Sequence, residues 1–142
     1  MEMPEPIDDE LLARMRAFHG HLGPFAMLGW RAGRLALGEL RAPSHFGISA
    51  LVRCPDHTPP SCFADGVQMG TGCTLGKGNI ALEPSEEISL TLRVAADGRS
   101  LTIRPRAEVY AQFRGWIAQS SDEAAALRVL EMADEELFEP RG

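Results

Sequence analysis

The sequence of 142 residues lacks any apolar run of the roughly 18 residues that a membrane-spanning helix needs, so no membrane span is expected. It also lacks a basic excess, because its formal net charge is −6, which argues against non-specific nucleic-acid binding. The first ten residues are acidic and contain proline, unlike a secretory signal, so a cytoplasmic location is expected by default. Residues 1–6 are expected to form a loose arm.

No internal repeat and no low-complexity segment is present. Hydrophobic residues make up 44 % of the chain and charged residues 24 %, which is typical of a soluble globular protein. The sequence therefore predicts one domain, residues 1–142, long enough to bury a core.

Cysteine is scarce: the chain has Cys54, Cys62 and Cys73 alone. An odd number argues against a disulfide framework and leaves thiols available for metal or redox chemistry. No two of them form a CxxC pair, so a thioredoxin-type or treble-clef site lacks its signature.

Hydrophobic periodicity separates the helices from the strands. Helical spacing predicts helices at 8–18, 25–40, 62–69, 107–119 and 122–138. Strand patterns predict strands at 46–52 and 79–83 and a hairpin of 87–94 with 101–103, turning at Ala96-Asp97-Gly98. Helices at both ends of the chain and strands between them predict an α+β fold, in which an antiparallel sheet is covered by N-terminal and C-terminal helices.

Caps and glycines refine the expected helices. Ser61 is expected to cap the helix at 62–69 and Gly70 to end it, while Ser120 with Glu123 would make a capping box for the last helix. Gly29 and Gly33 lie on one face of the second helix. They indicate either the close approach of another backbone, such as a partner subunit, or a poor helix rescued by packing.

His19 and His21 flank a glycine just before an expected helix N-terminus. The partial positive charge of that terminus disfavours protonated imidazole, which keeps histidine neutral and able to bind a metal. The alternative is a pair of histidines that bond to backbone in a turn. Asp65 would either orient a ligand histidine or cap the short helix, and Gln68 is read as a helix surface residue.

Cys62 and Cys73 flank a helix start and a glycine loop. A thiolate near a helix N-terminus has a lowered pKa, which favours metal binding and nucleophilic chemistry. The alternative is that both are small buried hydrophobic residues. A second arrangement, with less orthodox spacing, is a local metal clip of Cys54, His57 and Cys62.

The loop from Gly72 to Gly78 suggests a phosphate loop, but two positions depart from a Walker A motif. The motif needs glycine at position 71, where this chain has Thr71, and serine or threonine at position 78, where it has Gly78. Backbone N–H groups at Gly72 and Gly76 with the ammonium group of Lys77 could hold an anion instead. The alternative is a tight turn.

These segments together resemble the FmdE family, named for the FmdE component of molybdenum formylmethanofuran dehydrogenase. The family reads approximately His-Gly-His-Leu-Cys-Pro-Gly where this chain has residues 19–25. The second family segment reads approximately Cys-x-x-Asp-Ala-Ile-Gln, where this chain has residues 62–68. It continues as Thr-Gly-Cys-Thr-Leu-Gly-Lys-Gly-Asn, and residues 71–79 of this chain match that stretch at every position. The resemblance covers roughly residues 8–105 and, more loosely, the C-terminal helices.

The resemblance implies a dimeric α+β core that holds zinc or another divalent transition metal between histidine and cysteine. Carried over by position, the ligands are His19, His21, Cys62 and Cys73, with Asp65 and Lys77 beside them. Gly23 stands where the family usually has cysteine, so one thiol is missing. The cysteine-rich zinc module that many members carry is expected to be absent, because no cysteine follows Cys73 in this sequence.

Three functions follow as hypotheses. The first is a zinc-binding homodimer that is accessory to a molybdenum or tungsten oxidoreductase or to one-carbon metabolism. The second is a stand-alone metal-dependent enzyme in which Cys73, Lys77 and Asp65 take catalytic roles and Lys77 holds an anionic substrate. The third is a metal-free binder of a small ligand or haem.

Overall fold

The computed structural model describes residues 8–141 of the chain. The expected arm at 1–6 lies outside this range. The helices are α1 (Asp9–His19), α2 (Pro24–Leu40), α3 (Cys62–Thr71), α4 (Ala107–Tyr110), α5 (Phe113–Gln119), α6 (Asp122–Glu131) and α7 (Asp134–Leu137). The strands are β1 (Ile48–Cys54), β2 (Ile80–Pro84), β3 (Ser89–Val94) and β4 (Ser100–Ile103). This order confirms the predicted α+β class.

The sheet is mixed, with the strand order β2-β1-β3-β4. β1 runs antiparallel to β3, with Val52 opposite Leu90, and β3 runs antiparallel to β4. β2 lies parallel to β1, because α3 carries the chain back across the sheet between the two strands. The predicted antiparallel sheet therefore has one parallel edge.

Alternation along the strands places one face of the sheet in the core. Val52, Leu90, Leu92 and Ile103 are fully buried, as the period-two pattern predicts. α2 packs against β3 and β4, and α3 packs against β1, so the two helices cover this face. Within residues 8–141, no helix is both long and apolar enough to cross a membrane.

α2 and α3 meet through glycine. A Cβ atom added at Gly29 would lie 2.0 Å from the carbonyl oxygen of Phe63, and one added at Gly66 would lie 1.8 Å from that of Ala26. The two backbones are therefore in direct contact. The close approach predicted from Gly29 and Gly33 is confirmed, and the approaching backbone is α3 of the same chain rather than a partner subunit.

The buried side chain of Arg31 caps the C-terminal end of α6. Its guanidinium group is buried and donates to the carbonyl oxygens of Val129 at 2.9 Å, Leu130 at 3.1 Å and Met132 at 2.6 Å. It also donates to the carboxylate of Asp134 at 2.9 Å. The predicted helix at 122–138 is wrong at this point, because the chain becomes extended at 132–133 and Arg31 satisfies the carbonyl groups left open.

Other predicted boundaries also shift. Ser61 is helical and does not cap α3 with its side chain, and α3 continues past Gly70 to end at Gly72, which adopts a left-handed φ of 79°. Ser121, not Ser120, caps α6 by accepting from the N–H of Ala124 at 3.0 Å. The predicted helix at 107–119 is interrupted by a turn at 111–112.

We expect Gly66→Ala to destabilise the protein by about 3 kcal/mol, because the new methyl group would meet backbone rather than a movable side chain. Urea unfolding followed by circular dichroism measures the difference. The matched control is Gly115→Ala in α5, where a Cβ would meet no atom of the described residues within 4 Å. That variant should gain roughly 0.5–1 kcal/mol. Equal stability of the two variants would contradict the backbone contact.

Candidate metal-binding site

A tight turn between α1 and α2 presents the two histidines. His19 is the last residue of α1, and Gly20 ends that helix in the left-handed conformation, with a φ of 100°. Gly23 then caps α2 and Pro24 begins it. Since His19 belongs to the end of α1, the expectation that both histidines precede a helix N-terminus holds for His21 alone.

His19 is bonded to α3. Its Nδ1 atom lies 2.7 Å from Oδ2 of Asp65, and the imidazole is 7 % exposed. Because an ionised carboxylate only accepts hydrogen bonds, Nδ1 is the donor, which leaves Nε2 as the nitrogen that would carry the lone pair in the neutral form of the ring. Of the two roles expected for Asp65, the structure supports the orientation of a histidine.

The Nε2 atom of His19 is buried and has no hydrogen-bond partner in the part of the chain that the structure describes. Buried polar atoms without a partner are uncommon in folded proteins and call for a physical explanation. A histidine that binds a metal through one nitrogen usually donates its other N–H to a carboxylate, as His19 does to Asp65. His19 therefore has the geometry of a metal ligand.

His21 lies beside it. The two imidazole centroids are 4.9 Å apart and the rings are tilted by 31°. A Cβ atom at Gly23 would lie 3.0 Å from Nε2 of His21, so the imidazole of His21 occupies the space next to the side chain that glycine lacks. A side chain at position 23 would therefore crowd the imidazole of His21 in its present position.

The two cysteine candidates lie at opposite ends of α3, whose axis from Cys62 to Thr71 spans about 14 Å at 1.5 Å per residue. Cys62 is half-buried on the first turn, where burial and the nearby Asp65 raise the pKa of its thiol. Within residues 8–141, no three histidine, cysteine, aspartate or glutamate side chains are grouped closely enough to hold an ion. The four predicted ligands of one chain therefore do not complete one zinc site.

Cys73 lies with Lys77 beyond the C-terminal end of α3. Burial raises the pKa of the Cys73 thiol, and the hydroxyl group of Thr71 and the charge of Lys77 offset part of that rise. The ammonium group of Lys77 donates to the hydroxyl group of Thr74 at 3.0 Å and lies 5.4 Å from the centre of the Phe46 ring.

The glycine loop bonds mainly to itself and its neighbours. The N–H of Thr74 donates to Asn79 at 2.9 Å, and the N–H of Leu75 donates to the half-buried side chain of Gln68 at 3.3 Å. These are the contacts of a tight turn, and the N–H of Gly72, one of the predicted anion donors, is itself bonded to the carbonyl oxygen of Gln68 at 2.8 Å. The proposed anion role of Gly72, Gly76 and Lys77 stays a prediction.

The local clip of Cys54, His57 and Cys62 is not assembled in the described part of the chain. Cys54 is fully buried in the core, where burial, with the charges of Asp56 and Cys62 in second place, raises the pKa of its thiol to about 11. His57 is exposed, and its Nδ1 atom lies 3.2 Å from the carbonyl oxygen of Thr58. The two side chains therefore face different environments.

Comparison with known proteins identifies the family. The family model described as "FmdE, Molybdenum formylmethanofuran dehydrogenase operon" matches residues 18–139. The chain belongs to the FmdE family. The match includes the histidine turn, α3 and the glycine loop, as the resemblance of the motifs predicts.

Two relatives refine the comparison. The FmdE-family chain is 35 % identical over 104 residues to a probable S-adenosyl-L-methionine-binding protein of Archaeoglobus fulgidus, covering 69 % of this chain and 27 % of that protein. The chain thus spans about a quarter of that relative's length. It also shares its fold with the crystal structure of a tungsten formylmethanofuran dehydrogenase FmdE-like protein from Syntrophus aciditrophicus, with a TM-score of 0.67 and 22 % identity, covering 98 % of this chain and 74 % of that one.

Sequence reasoning missed the role of Gly66 and Gly70. They are four residues apart on α3, as Gly29 and Gly33 are on α2. Two helices that each carry glycines four residues apart can approach closely along those faces. The same glycine spacing in both helices therefore indicated their contact in the sequence.

We expect iodoacetamide to alkylate the native protein at Cys62 and to spare Cys54 and Cys73, whose side chains are fully buried. Since the raised pKa of Cys62 leaves little thiolate at pH 7, the rate should increase as the pH rises through the alkaline range. Peptide mapping by mass spectrometry identifies the modified residue. Alkylation in urea, where all three should react, is the control, and native labelling of Cys73 at the rate of Cys62 would contradict the assigned burial.

Proposed function

We propose that this FmdE-family protein binds a divalent transition metal, zinc by preference, through His19, and acts in the cytoplasm as an accessory protein to a molybdenum or tungsten oxidoreductase. The observation that carries the proposal is the state of His19. Its Nδ1 atom is bonded to Asp65, and its buried Nε2 atom has no partner among the described residues. An imidazole fixed by a carboxylate suits Zn²⁺.

The donors of one chain fit part of a zinc site. His19 supplies an oriented nitrogen, His21 lies next to it, and Cys62 starts the helix that carries Asp65. Because no group of three donors exists within residues 8–141, further ligands would come from water, a substrate or a second chain. The homodimer implied by the family resemblance would supply that second chain.

The accessory role is supported by the family description, which refers to a molybdenum formylmethanofuran dehydrogenase operon. An oxidoreductase is therefore the partner class that we propose. The name of the Archaeoglobus relative does not assign S-adenosylmethionine binding to this chain, because the similarity spans 27 % of that protein.

A narrower version of the enzyme hypothesis uses the zinc and Asp65 but not Lys77 or Cys73. A bound zinc would polarise a carbonyl group or activate water, and Asp65 would keep the His19 ring in its orientation. Lys77 and Cys73 lie at the opposite end of α3 from Cys62, so one chain does not bring them to the His19 site. The haem version of the third hypothesis predicts a coloured protein, which ultraviolet–visible absorption would show.

We expect His19→Ala to abolish zinc binding and Asp65→Asn to weaken it by roughly 10–100-fold, because Asp65 orients the ligand. Competition with a chromophoric chelator measures affinity, and plasma mass spectrometry measures the metal content of untagged protein. His57→Ala, which changes an exposed histidine, is the matched control and should bind as the wild type does. Wild-type protein that takes up no zinc, or a His19→Ala variant that binds normally, would overturn the proposal.

A further inference from the structure

The apolar face of the sheet extends beyond its helix cover at β2. Leu82 of β2 lies opposite Val52 of β1, on the face that points into the core. Val52 is fully buried, whereas Leu82 is 39 % exposed. α3 packs over β1, and α2 packs over β3 and β4, so the two helices leave the core-facing side of β2 partly open.

The outer edge of β2 also presents backbone hydrogen-bonding groups. β2 is the last strand in the sheet order, with β1 as its one neighbour in the described part of the chain. The carbonyl oxygen of Asn79 accepts from the N–H of Ala50 at 2.9 Å, so the backbone of Asn79 faces β1. Backbone groups of successive strand residues point to alternate sides, so those of Ala81 also face β1 and those of Leu82 face outwards. Leu82, the middle residue of β2, can therefore pair with a further strand.

Exposed apolar side chains are concentrated at this edge. Four large hydrophobic side chains are exposed among the described residues, and three of them are Phe46, Leu75 and Leu82. Leu75 begins the short helical turn that leads into β2, and the Phe46 ring lies 5.4 Å from Nζ of Lys77 in the same turn. Single exposed hydrophobic residues are ordinary, whereas a cluster of them marks an interaction surface.

The charges along β2 differ between its two ends. Lys77 lies just before the strand and Glu86 just after it, and both side chains are exposed. The ammonium group of Lys77 donates to the hydroxyl group of Thr74 rather than to a carboxylate. When two copies of a strand pair antiparallel, the beginning of each lies beside the end of the other. Each Lys77 would then lie near the partner's Glu86, and a two-fold axis produces this attraction twice.

We propose that β2 is the contact strand of a homodimer, in which two copies pair antiparallel about a two-fold axis at Leu82. Leu82 packs against the partner's Leu82, and the two sheets become continuous. Phe46 and Leu75 of each copy pack beside the far end of the partner's β2, where Pro84 lies. Pro84 has no N–H group, so the ladder of hydrogen bonds ends there. A second copy suits this edge because both its charges and its apolar groups are self-complementary.

The pairing also bears on the metal site. α3 returns from the C-terminal ends of β1 and β2 to their N-terminal ends, so Cys62 lies towards the end of β2 and Lys77 at its beginning. Antiparallel pairing brings the partner's Lys77 to the end of the joined sheet where Cys62 of the first copy lies. This use of the dimer rests on the proposed function, whereas the evidence for the dimer does not.

Sedimentation equilibrium of the untagged chain, with a chelator present and over a range of concentrations, tests the dimer. We expect a species of twice the 15.5 kDa of one chain. Leu82→Lys should raise the Kd of the dimer by roughly 100-fold or more, because two ammonium groups would face each other across the axis. Phe18→Lys, which changes an exposed hydrophobic residue on α1, is the matched control and should leave the Kd unchanged.

A disulfide tests the position of the axis independently of the lysine variant. The Cα atoms of a hydrogen-bonded antiparallel pair lie about 5.5 Å apart, within the roughly 4.4–6.8 Å that a disulfide spans. Leu82→Cys should therefore link two copies on mild oxidation, and peptide mapping should find position 82 on both sides of the link. Ser100→Cys, an exposed position on β4 at the opposite edge of the sheet, is the control and should give no link.

His19→Ala should dimerise as the wild type does, so loss of zinc binding and loss of the dimer are separate results. A wild-type chain that stays monomeric at every concentration would overturn the inference and leave the β2 edge to a strand of another protein. A Leu82→Lys variant with the wild-type Kd, or a wild-type dimer whose Leu82→Cys variant does not cross-link, would also overturn it.

Discussion

The structure depends on the direct contact between the backbones of α2 and α3. Gly29 and Gly66 have no side chains to hold the helices apart, and carbonyl oxygens occupy the positions that Cβ atoms would take. Helices in ordinary packing lie about 8–10 Å apart because side chains separate them. Here glycine removes that separation, and the close pair covers one face of the sheet.

This contact also sets the geometry of the candidate site. His19 lies at the end of α1, just before α2 begins, whereas Asp65 lies on α3 one residue before Gly66. The spacing of α2 and α3 therefore affects whether the 2.7 Å bond from His19 at the end of α1 to Asp65 on α3 can form. Packing inside the domain and the orientation of His19 share one cause.

Patterns of local origin could be read from the sequence. The hairpin from Leu90 to Ile103 follows from alternation, α1 follows from periodicity and its terminal Gly20, and the histidine turn follows from the residues that form it. The break after α6 could not be read, because Arg31 lies about a hundred residues earlier in the chain. The separation of Cys62 from Cys73 could be inferred in part, because the predicted helix at 62–69 already begins at Cys62 and ends before Cys73.

The guanidinium group of Arg31 joins two segments of the chain that the ribosome makes at very different times. Its acceptors, Val129, Leu130, Met132 and Asp134, follow it by about a hundred residues. Until that later segment has been synthesised, the cation must stay in water, because a buried charge without a partner is strongly unfavourable. α2 therefore reaches its final environment only after α6 and the start of α7 have left the ribosome.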